Sequence, residues 1–166
     1  MVKAPTLILD SGEVLMDSTL IIDYVECCVA GKSLLASDKV ERTVALRCIS
    51  HALMATDKAV QLIYERNLRP VEKQHEPWLE RVTGQILAAC AALETIITQH
   101  PLPMQSGKLS QAAIIRAVAW QFINSMLPAL VTAADHPQLQ TLSIVAESLP
   151  EFLAFPPDGP GVVAHS

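Results

Sequence analysis

The spacing of apolar residues changes from a strand pattern to a helical pattern near the start of the chain. Residues 6–9 and 14–16 are short β-branched or aliphatic runs, and the Asp-Ser-Gly-Glu cluster at 10–13 supplies turn chemistry between them. These runs predict an antiparallel hairpin. Asp17 and Ser18 then offer an N-cap to a helix. The apolar residues that follow at helical spacing are Leu20, Ile21, Tyr24, Val25 and Cys28.

The remainder of the chain has the pattern of a helical bundle. Apolar positions recur every three or four residues in segments that prolines or helix caps bound, and short connections favour antiparallel neighbours. The predicted helices span 38–69, 77–100, 110–126 and 137–149. The predicted organisation is a hairpin plus helix at 1–30, a linker at 31–37, an all-helical domain at 38–155 and an irregular Pro- and Gly-rich tail at 156–166.

Composition and charge argue against nucleic-acid and membrane partners. The 166 residues are 51% hydrophobic with a formal net charge of −5, and the basic residues are scattered, which argues against nucleic acid. Residues 111–134 are long and apolar, but Arg116 and Pro128 interrupt them, so we predict a buried core helix and no membrane span. No basic-then-apolar signal peptide opens the chain, and we expect a cytoplasmic protein.

Cysteine and histidine positions predict no metal site. The four cysteines and five histidines show no metal-ligand spacing, and adjacent cysteines such as Cys27 and Cys28 seldom pair with each other. We therefore predict reduced, mostly buried thiols, including Cys48 and Cys90.

Asp17 and Ser18 have a second interpretation. A helix N-terminus carries unpaired amide donors and partial positive charge, which suit a carboxylate or phosphate ligand, and Ser18 adds a hydroxyl donor. The alternative is that these residues only cap the helix. The spacing alone favours the cap.

The N-terminal stretch resembles the second half of the thioredoxin-like domain of glutathione transferases. In that family a Val-Pro or Ala-Pro pair opens a strand, an acidic-Gly turn follows, and Glu-Ser or Asp-Ser caps a helix that ends in Ile-x-x-Tyr. The matching elements are Ala4-Pro5, Asp10-Ser11-Gly12, Asp17-Ser18 and Ile-Ile-Asp-Tyr at 21–24.

The resemblance implies a glutathione site, with glutathione as co-substrate. Pro5 would follow a cis peptide bond, and the backbone of Ala4 would bind the cysteinyl part of glutathione. Ser18 and its amide would hold the γ-glutamyl carboxylate, with Asp17 near the ammonium. The family reaction is attack of the glutathione thiolate on a small electrophile.

The helical region is also similar to small bacterial glutathione transferases. Arg69-Pro70 leads to Gln74 and Trp78, and a Pro-x-Leu helix from Pro137 closes on an aromatic residue after a proline, as in that family. The resemblance covers nearly the whole chain. It implies a mostly α fold, in which the C-terminal helical bundle of the family follows a truncated thioredoxin-like hairpin plus helix.

One departure from the family concerns a helix start. The family has Ser-x-Ala-Asp there, a capping box, whereas this chain keeps Ser110 and a hydrophobic staple of Leu109 with Ile114 but has Ala113 in place of the acid. Loss of half of the box should cost about 1 kcal/mol. The sequence therefore predicts that Ala113→Asp raises the melting temperature.

The second departure concerns catalysis. The family's catalytic Ser, Tyr or Cys lies in the first strand-helix-strand unit of the thioredoxin-like domain, which has no counterpart in this sequence. Ser11, Thr19 and Ser33 are candidates by residue type only, and turn or cap roles are favoured for each. We therefore identify no catalytic residue and expect impaired conjugation. The alternatives are a non-catalytic interaction or dimerisation module, or a truncated gene product.

Two further expectations concern surfaces. By resemblance, the first bundle helix lines the pocket for hydrophobic substrates, although core packing or exposure is favoured for each of the residues concerned: His51, Met54, Lys58 and Tyr64. We also predict a homodimer, either through the helix from Ser18 and the first bundle helix, or through pairing of the strand at 6–9, whose apolar edge invites association.

Overall fold

The computed structural model describes residues 5–29, 33–101 and 109–157. Its contacts divide the chain into two compact units, Met1–Leu34 and Leu35–Ser166, called here the N-terminal unit and the helical unit. Each is described by itself.

The N-terminal unit begins with the predicted hairpin. Strands β1 (Thr6–Ile8) and β2 (Val14–Met16) pair antiparallel, with Leu7 opposite Leu15. The turn between them closes through a hydrogen bond of 2.9 Å from the Leu9 amide to the Glu13 carbonyl. Gly12 takes φ +88° there, a conformation that residues with a Cβ rarely adopt.

Helix α1 (Ser18–Cys28) follows β2 and contacts both strands. Near its C-terminal end, the Glu26 carboxylate accepts hydrogen bonds from the Ser33 hydroxyl at 3.0 Å and the Leu34 amide at 2.9 Å. Among its described residues, the N-terminal unit buries no side chain completely.

The helical unit contains five helices among its described residues. Asp38 caps the first of these helices, which begins at Lys39. The Asp38 Oδ1 atom accepts hydrogen bonds from the amides of Val40 and Glu41, both at 2.9 Å. A single 3-10 turn at Val71–Lys73 joins the first two helices. The helices are α2 (Lys39–Leu68), α3 (Glu76–Gln99), α4 (Gln111–Met126), α5 (Pro137–Glu147) and α6 (Pro150–Ala154).

The core lies where α2 packs against α3 and α4. On α2 half of the buried positions are alanines, which let neighbouring helices approach closely, whereas α3 contributes mainly branched side chains. The buried residues of α3 are Leu79, Val82, Ile86, Ala89, Cys90, Leu93 and Ile96.

The predicted fold class is confirmed. The hairpin and the larger helices form where the sequence placed them, within about two residues at each end. The short helix α6 and the 3-10 turn were not predicted. The division into a partial thioredoxin-like portion, linker, helical domain and tail stays a prediction, and Ala4 lies outside the described residues.

Two long apolar helices bear on the membrane question. Helix α4 is a core helix, as predicted, with Trp120 and Ile123 buried. In the part of the chain that the structure describes, α3 is the one helix long and apolar enough to cross a bilayer by length and composition. A buried face is sufficient reason for that composition in α3, because core helices pass the same test.

The start of α4 overturns one expectation. Ser110 caps the helix, accepting from the Ala113 amide at 3.3 Å, and Leu109 and Ile114 belong to one apolar cluster, as a hydrophobic staple requires. The Ala113 side chain, however, is only 2% exposed and packs in that same cluster. A carboxylate there would be desolvated, so Ala113→Asp is now expected to destabilise the fold.

Candidate functional site

The N-terminus of α1 is held by a residue in an unusual backbone conformation. Asp17 has φ 81° and ψ 124°, and no other non-glycine residue among 5–29, 33–101 and 109–157 has a positive φ. Such a conformation costs about 1–3 kcal/mol and persists only where its surroundings fix it. Strain of this kind is concentrated at ligand sites and active sites.

Hydrogen bonds fix Asp17 at the helix start. Its Oδ1 accepts from the Thr19 amide at 2.9 Å, and its carbonyl accepts from the Ile21 amide at 3.0 Å. The first turn contains no acidic residue. Ser18 is exposed, and its hydroxyl meets no hydrogen-bond partner within the described ranges. The helix N-terminus can therefore receive an anionic group.

The hairpin brings Pro5 to the same place. Thr6 lies opposite Met16, so the antiparallel register sets the exposed Pro5 at the end of the hairpin where Asp17 and Ser18 lie. Three of the four predicted glutathione-binding residues are thus gathered at one end of the N-terminal unit. Their roles in binding stay predictions, as does that of Ala4, which falls outside the description.

The ionisable side chains of residues 5–29 are all acidic apart from Tyr24, Cys27 and Cys28. Residues 5–29 contain five carboxylates and no lysine, arginine or histidine. Within that range, positive potential comes only from the N-terminus of α1. A thiol needs a positioned donor or positive field to ionise at neutral pH, and no side chain in this range supplies a positive charge. The carboxylates belong to Asp10, Glu13, Asp17, Asp23 and Glu26.

The hydroxyl residues considered by type have structural roles. The Ser11 hydroxyl donates to the Glu13 carboxylate at 3.0 Å, and the Ser33 hydroxyl donates to Glu26. The Thr19 amide supports the cap of α1. These contacts favour turn and cap roles for all three residues, as the sequence indicated.

The four pocket candidates on α2 are not all brought together. His51, Met54 and Lys58 share one face by helical spacing, and the Lys58 ammonium lies 3.1 Å from the Asp57 carboxylate. Tyr64 instead lines an open groove of about 420 Å³ at the corner between α2 and α3, together with Trp78. Among these four candidates, Tyr64 is the one that lines this groove.

The thiols divide into two classes. Burial raises the pKa of Cys90 to about 11, and burial also raises the pKa of Cys48, although the nearby Arg116 guanidinium opposes that rise. Neither is a nucleophile at neutral pH. Cys27 and Cys28 are exposed, so the expectation of mostly buried thiols is wrong for these two.

Arg116 is a buried charged residue to which the sequence analysis assigned no role. It is 1% exposed, its Nε donates to the Ala112 carbonyl at 3.1 Å, and its NH1 group has no partner among the described atoms. Burial lowers its pKa, with Cys48 acting in the opposite direction. The sequence signal for this buried charge was the position of a single arginine within an apolar helix.

Within the described ranges, no group of three or more His, Cys, Asp or Glu side chains could hold a metal ion.

Comparison with known proteins identifies relatives with this architecture. A glutathione transferase family member from Pseudomonas fluorescens Pf-5, solved with bound S-(propanoic acid)-glutathione, is 33% identical, with a TM-score of 0.80 over 92% of this chain and 76% of its own. A glutathione S-transferase from Methylobacterium radiotolerans, solved with glutathione sulfonate, is 22% identical, with a TM-score of 0.83 over 99% and 76%.

A maleylpyruvate isomerase from Pseudomonas aeruginosa has the same fold, at 20% identity and a TM-score of 0.70 over 93% of this chain and 82% of its own. No protein-family model and no curated protein matches the sequence. The identity and coverage shared with the P. fluorescens protein, together with the hairpin, capped helix and bundle described above, show that the chain belongs to the glutathione transferase family.

Proposed function

We propose that the N-terminus of α1 binds glutathione. The observation that carries the proposal is the strained backbone of Asp17 directly before an exposed Ser18, because strain at a helix N-terminus is expected where a ligand is held. The glutathione derivatives named for the P. fluorescens and M. radiotolerans proteins support it. Ser18 binds the γ-glutamyl carboxylate through its amide and hydroxyl, and Asp17 binds the ammonium. Ala4 binds the cysteinyl backbone, and Pro5 positions Ala4.

The family reaction is addition of the glutathione thiolate to a small electrophile, and we propose that it is impaired here. No cationic side chain lies within residues 5–29, and the hydroxyls of Ser11 and Ser33 are already bonded to carboxylates. Residues 5–29 therefore offer no cationic side chain that would lower the pKa of the glutathione thiol.

A second candidate function is a non-catalytic interaction module. The observation that favours it is the absence of a completely buried side chain among the described residues of the N-terminal unit, because an uncovered apolar surface suits a partner. A homodimer through α1 and α2 is one form of this proposal. Cytoplasmic location, and the absence of membrane, nucleic-acid and metal partners, stay predictions.

Calorimetric titration of the 166-residue chain with glutathione tests the site. We expect weak binding, with a Kd on the order of 1 mM, and a further loss of about tenfold in Ser18→Ala, because a hydrogen bond to a charged group is removed. The matched control is Ser50→Ala, since the exposed Ser50 bonds only within α2. Unchanged affinity in Ser18→Ala would contradict the site.

An assay with an aryl halide electrophile tests the impairment separately. We expect no conjugation above the rate of glutathione in buffer. Robust turnover that Ser18→Ala abolishes would support the site and refute the impairment. Turnover that persists in Ser18→Ala would refute both.

A further inference from the structure

The helical unit has a largely apolar groove where α6 and the residues after it pass α4 and the C-terminal end of α5. The volume of this α4–α6 groove is about 330 Å³. Val118 of α4 and Leu153 of α6 line it and are 49% and 68% exposed, and Phe155, which follows α6, is 85% exposed. Exposed apolar side chains that share one concave surface are typical of a binding site.

Two polar side chains line the same groove, Glu147 of α5 and Gln121 of α4. The hydroxyl of Ser143, a buried residue one turn earlier on α5, donates a hydrogen bond to Oε1 of Glu147. This bond orients the carboxylate from the protein side. Neither Oε2 of Glu147 nor the Gln121 amide has a hydrogen-bond partner among the described residues. Both groups are therefore available to a ligand in the groove.

The negative charge of Glu147 is not neutralised in the part of the chain that the structure describes. Glu147 forms no ion pair with a residue of 5–29, 33–101 or 109–157. Residues 109–157 carry three carboxylates and a single arginine, Arg116, which is 1% exposed. Glu147 is also the last residue of α5, whose last turn has no basic residue. Because the C-terminus of a helix is itself partially negative, the helix end and the carboxylate both attract a cation.

The walls of the groove decide which cation fits. A metal ion requires several oxygen ligands, whereas this groove offers one carboxylate and one amide between apolar walls. The phenyl rings of Phe152 and Phe155 instead suit an organic cation, because aromatic faces attract an ammonium group and pack against an apolar body. An organic anion of the same size would be repelled by Glu147.

We propose that the α4–α6 groove binds a small organic cation in which an amine is joined to an aromatic ring. Its ammonium group pairs with Oε2 of Glu147 and donates to the Gln121 amide oxygen, and its ring packs against Leu153 and Phe155. A groove of about 330 Å³ lies within the size range of small-molecule sites. The proposal does not depend on glutathione binding.

Nuclear magnetic resonance titration of the full chain tests the proposal with matched compounds. The probe is tryptamine, whose amine is protonated at pH 7. The comparison compounds are tryptophol, in which a hydroxyl replaces the amine, and ethylamine, which lacks the ring. We expect tryptamine to bind at least about fivefold more tightly than either, since each lacks one of the two contributions. Equal affinity for tryptamine and tryptophol, or no binding of tryptamine, overturns the proposal.

A charge variant of the full chain locates the ammonium group. Glu147→Gln keeps an acceptor for the Ser143 hydroxyl and removes a negative charge from a helix C-terminus, so it should fold. We expect it to weaken tryptamine at least about fivefold and to leave tryptophol unchanged. The control is Glu151→Gln, an exposed acid of α6 that does not line the groove, which should keep the preference for tryptamine. Equal loss in the control, or none in Glu147→Gln, contradicts the proposal.

An apolar variant locates the ring and separates other occupants. Val118→Ser should weaken tryptamine and tryptophol alike, by about threefold, whereas Ile144→Ser, exposed on α5 outside the groove, should weaken neither. Self-association in sedimentation that disappears in Val118→Ser would show that a second copy covers the groove. Tryptamine binding that appears only after Val162→Ser with Val163→Ser would show that the end of the chain fills it. Either result would overturn the proposal.

Discussion

At the scale of single residues, Asp17 combines an unfavourable backbone with a favourable cap. Replacement by glycine removes the strain at φ 81°, worth about 1–3 kcal/mol, and loses the side-chain cap, which costs only a few tenths. We therefore predict that Asp17→Gly slows hydrogen exchange in α1 while glutathione binding falls. Calorimetry and exchange on the same samples check this.

The control for this prediction is Asp17→Asn, which keeps the acceptor for the Thr19 amide and removes the charge. It should leave exchange in α1 close to that of the unchanged chain and weaken glutathione binding. Faster exchange in Asp17→Gly would mean that the cap outweighs the strain.

Ala113 shows how burial reverses a sequence-based expectation. In the family pattern an acid at this position completes a capping box, yet here the side chain is enclosed by Leu109, Ala117 and Ala146. We predict that Ala113→Asp lowers the melting temperature by about 5 °C, because desolvation of the carboxylate costs more than the cap returns. Ala91→Asp, on the exposed side of α3, is the comparison in a thermal melt. A raised melting temperature would mean that the carboxylate reaches the Ser110 amide.

The four thiols should differ sharply in reactivity. Because burial raises the pKa of Cys90 to about 11, its thiolate fraction at pH 8 is on the order of one in a thousand, and it rises only as pH approaches that value. We predict that iodoacetamide at pH 8 modifies Cys27 and Cys28 in the folded chain. In denaturant, Cys48 and Cys90 react as well. Mass spectrometry counts the adducts, and modification of Cys90 in the folded chain would contradict its burial.

At the scale of elements, one carboxylate holds the start of a distant helix. Helix α5 begins with a proline and its N-cap His136 makes no side-chain cap, but the two oxygens of Glu94 on α3 accept from the amides of Gln138 at 2.8 Å and Leu139 at 2.9 Å. Glu94 therefore replaces the missing cap and joins α3 to α5.

Removal of this cap should lower the free energy of unfolding. We predict that Glu94→Gln lowers the free energy of unfolding by about 1 kcal/mol and Glu94→Ala by about 2 kcal/mol, since charge-assisted bonds to two amides are weakened and then lost. Urea denaturation measures both. Glu80→Gln on the same helix is the control, and an equal effect there would show that only the helix charge matters.

Local signals explain which elements could be predicted. Helices α2 and α4 begin after Asp38 and Ser110, whose caps are visible in the sequence, and the hairpin follows from its turn residues. The cap on α5 could not be found this way, because Glu94 lies more than forty residues away. Helix α6 is a single turn, too short for a periodic pattern.

The candidate site, too, could be predicted from the sequence only in part. The sequence placed Asp17 and Ser18 at a helix start, and the hairpin register then sets Pro5 beside them. The positive φ of Asp17 could not be predicted, because it depends on the packing around the residue, whereas the burial of Arg116 had one signal, its position within an apolar helix.

At the scale of the whole molecule, the stability is unequally distributed. Every completely buried side chain among the described residues belongs to the helical unit, from Ala45 on α2 to Ala146 on α5. The free energy of unfolding follows buried apolar area, so the helical unit should account for nearly all of it.

This distribution predicts that the helical unit folds without the first 34 residues. A chain of residues 35–166 should melt within about 3 °C of the full chain, because no completely buried side chain is removed from the described structure. Removal of the residues from Pro150 onward is the comparison, since Phe152 packs against the cluster around Ala113 and its loss exposes apolar area. In the full chain, amides of β1, β2 and α1 should exchange well before those of α2, α3 and α4. If removal of the N-terminal unit lowered the melting temperature more than removal of α6, that unit would contribute stability that its own side-chain burial does not account for.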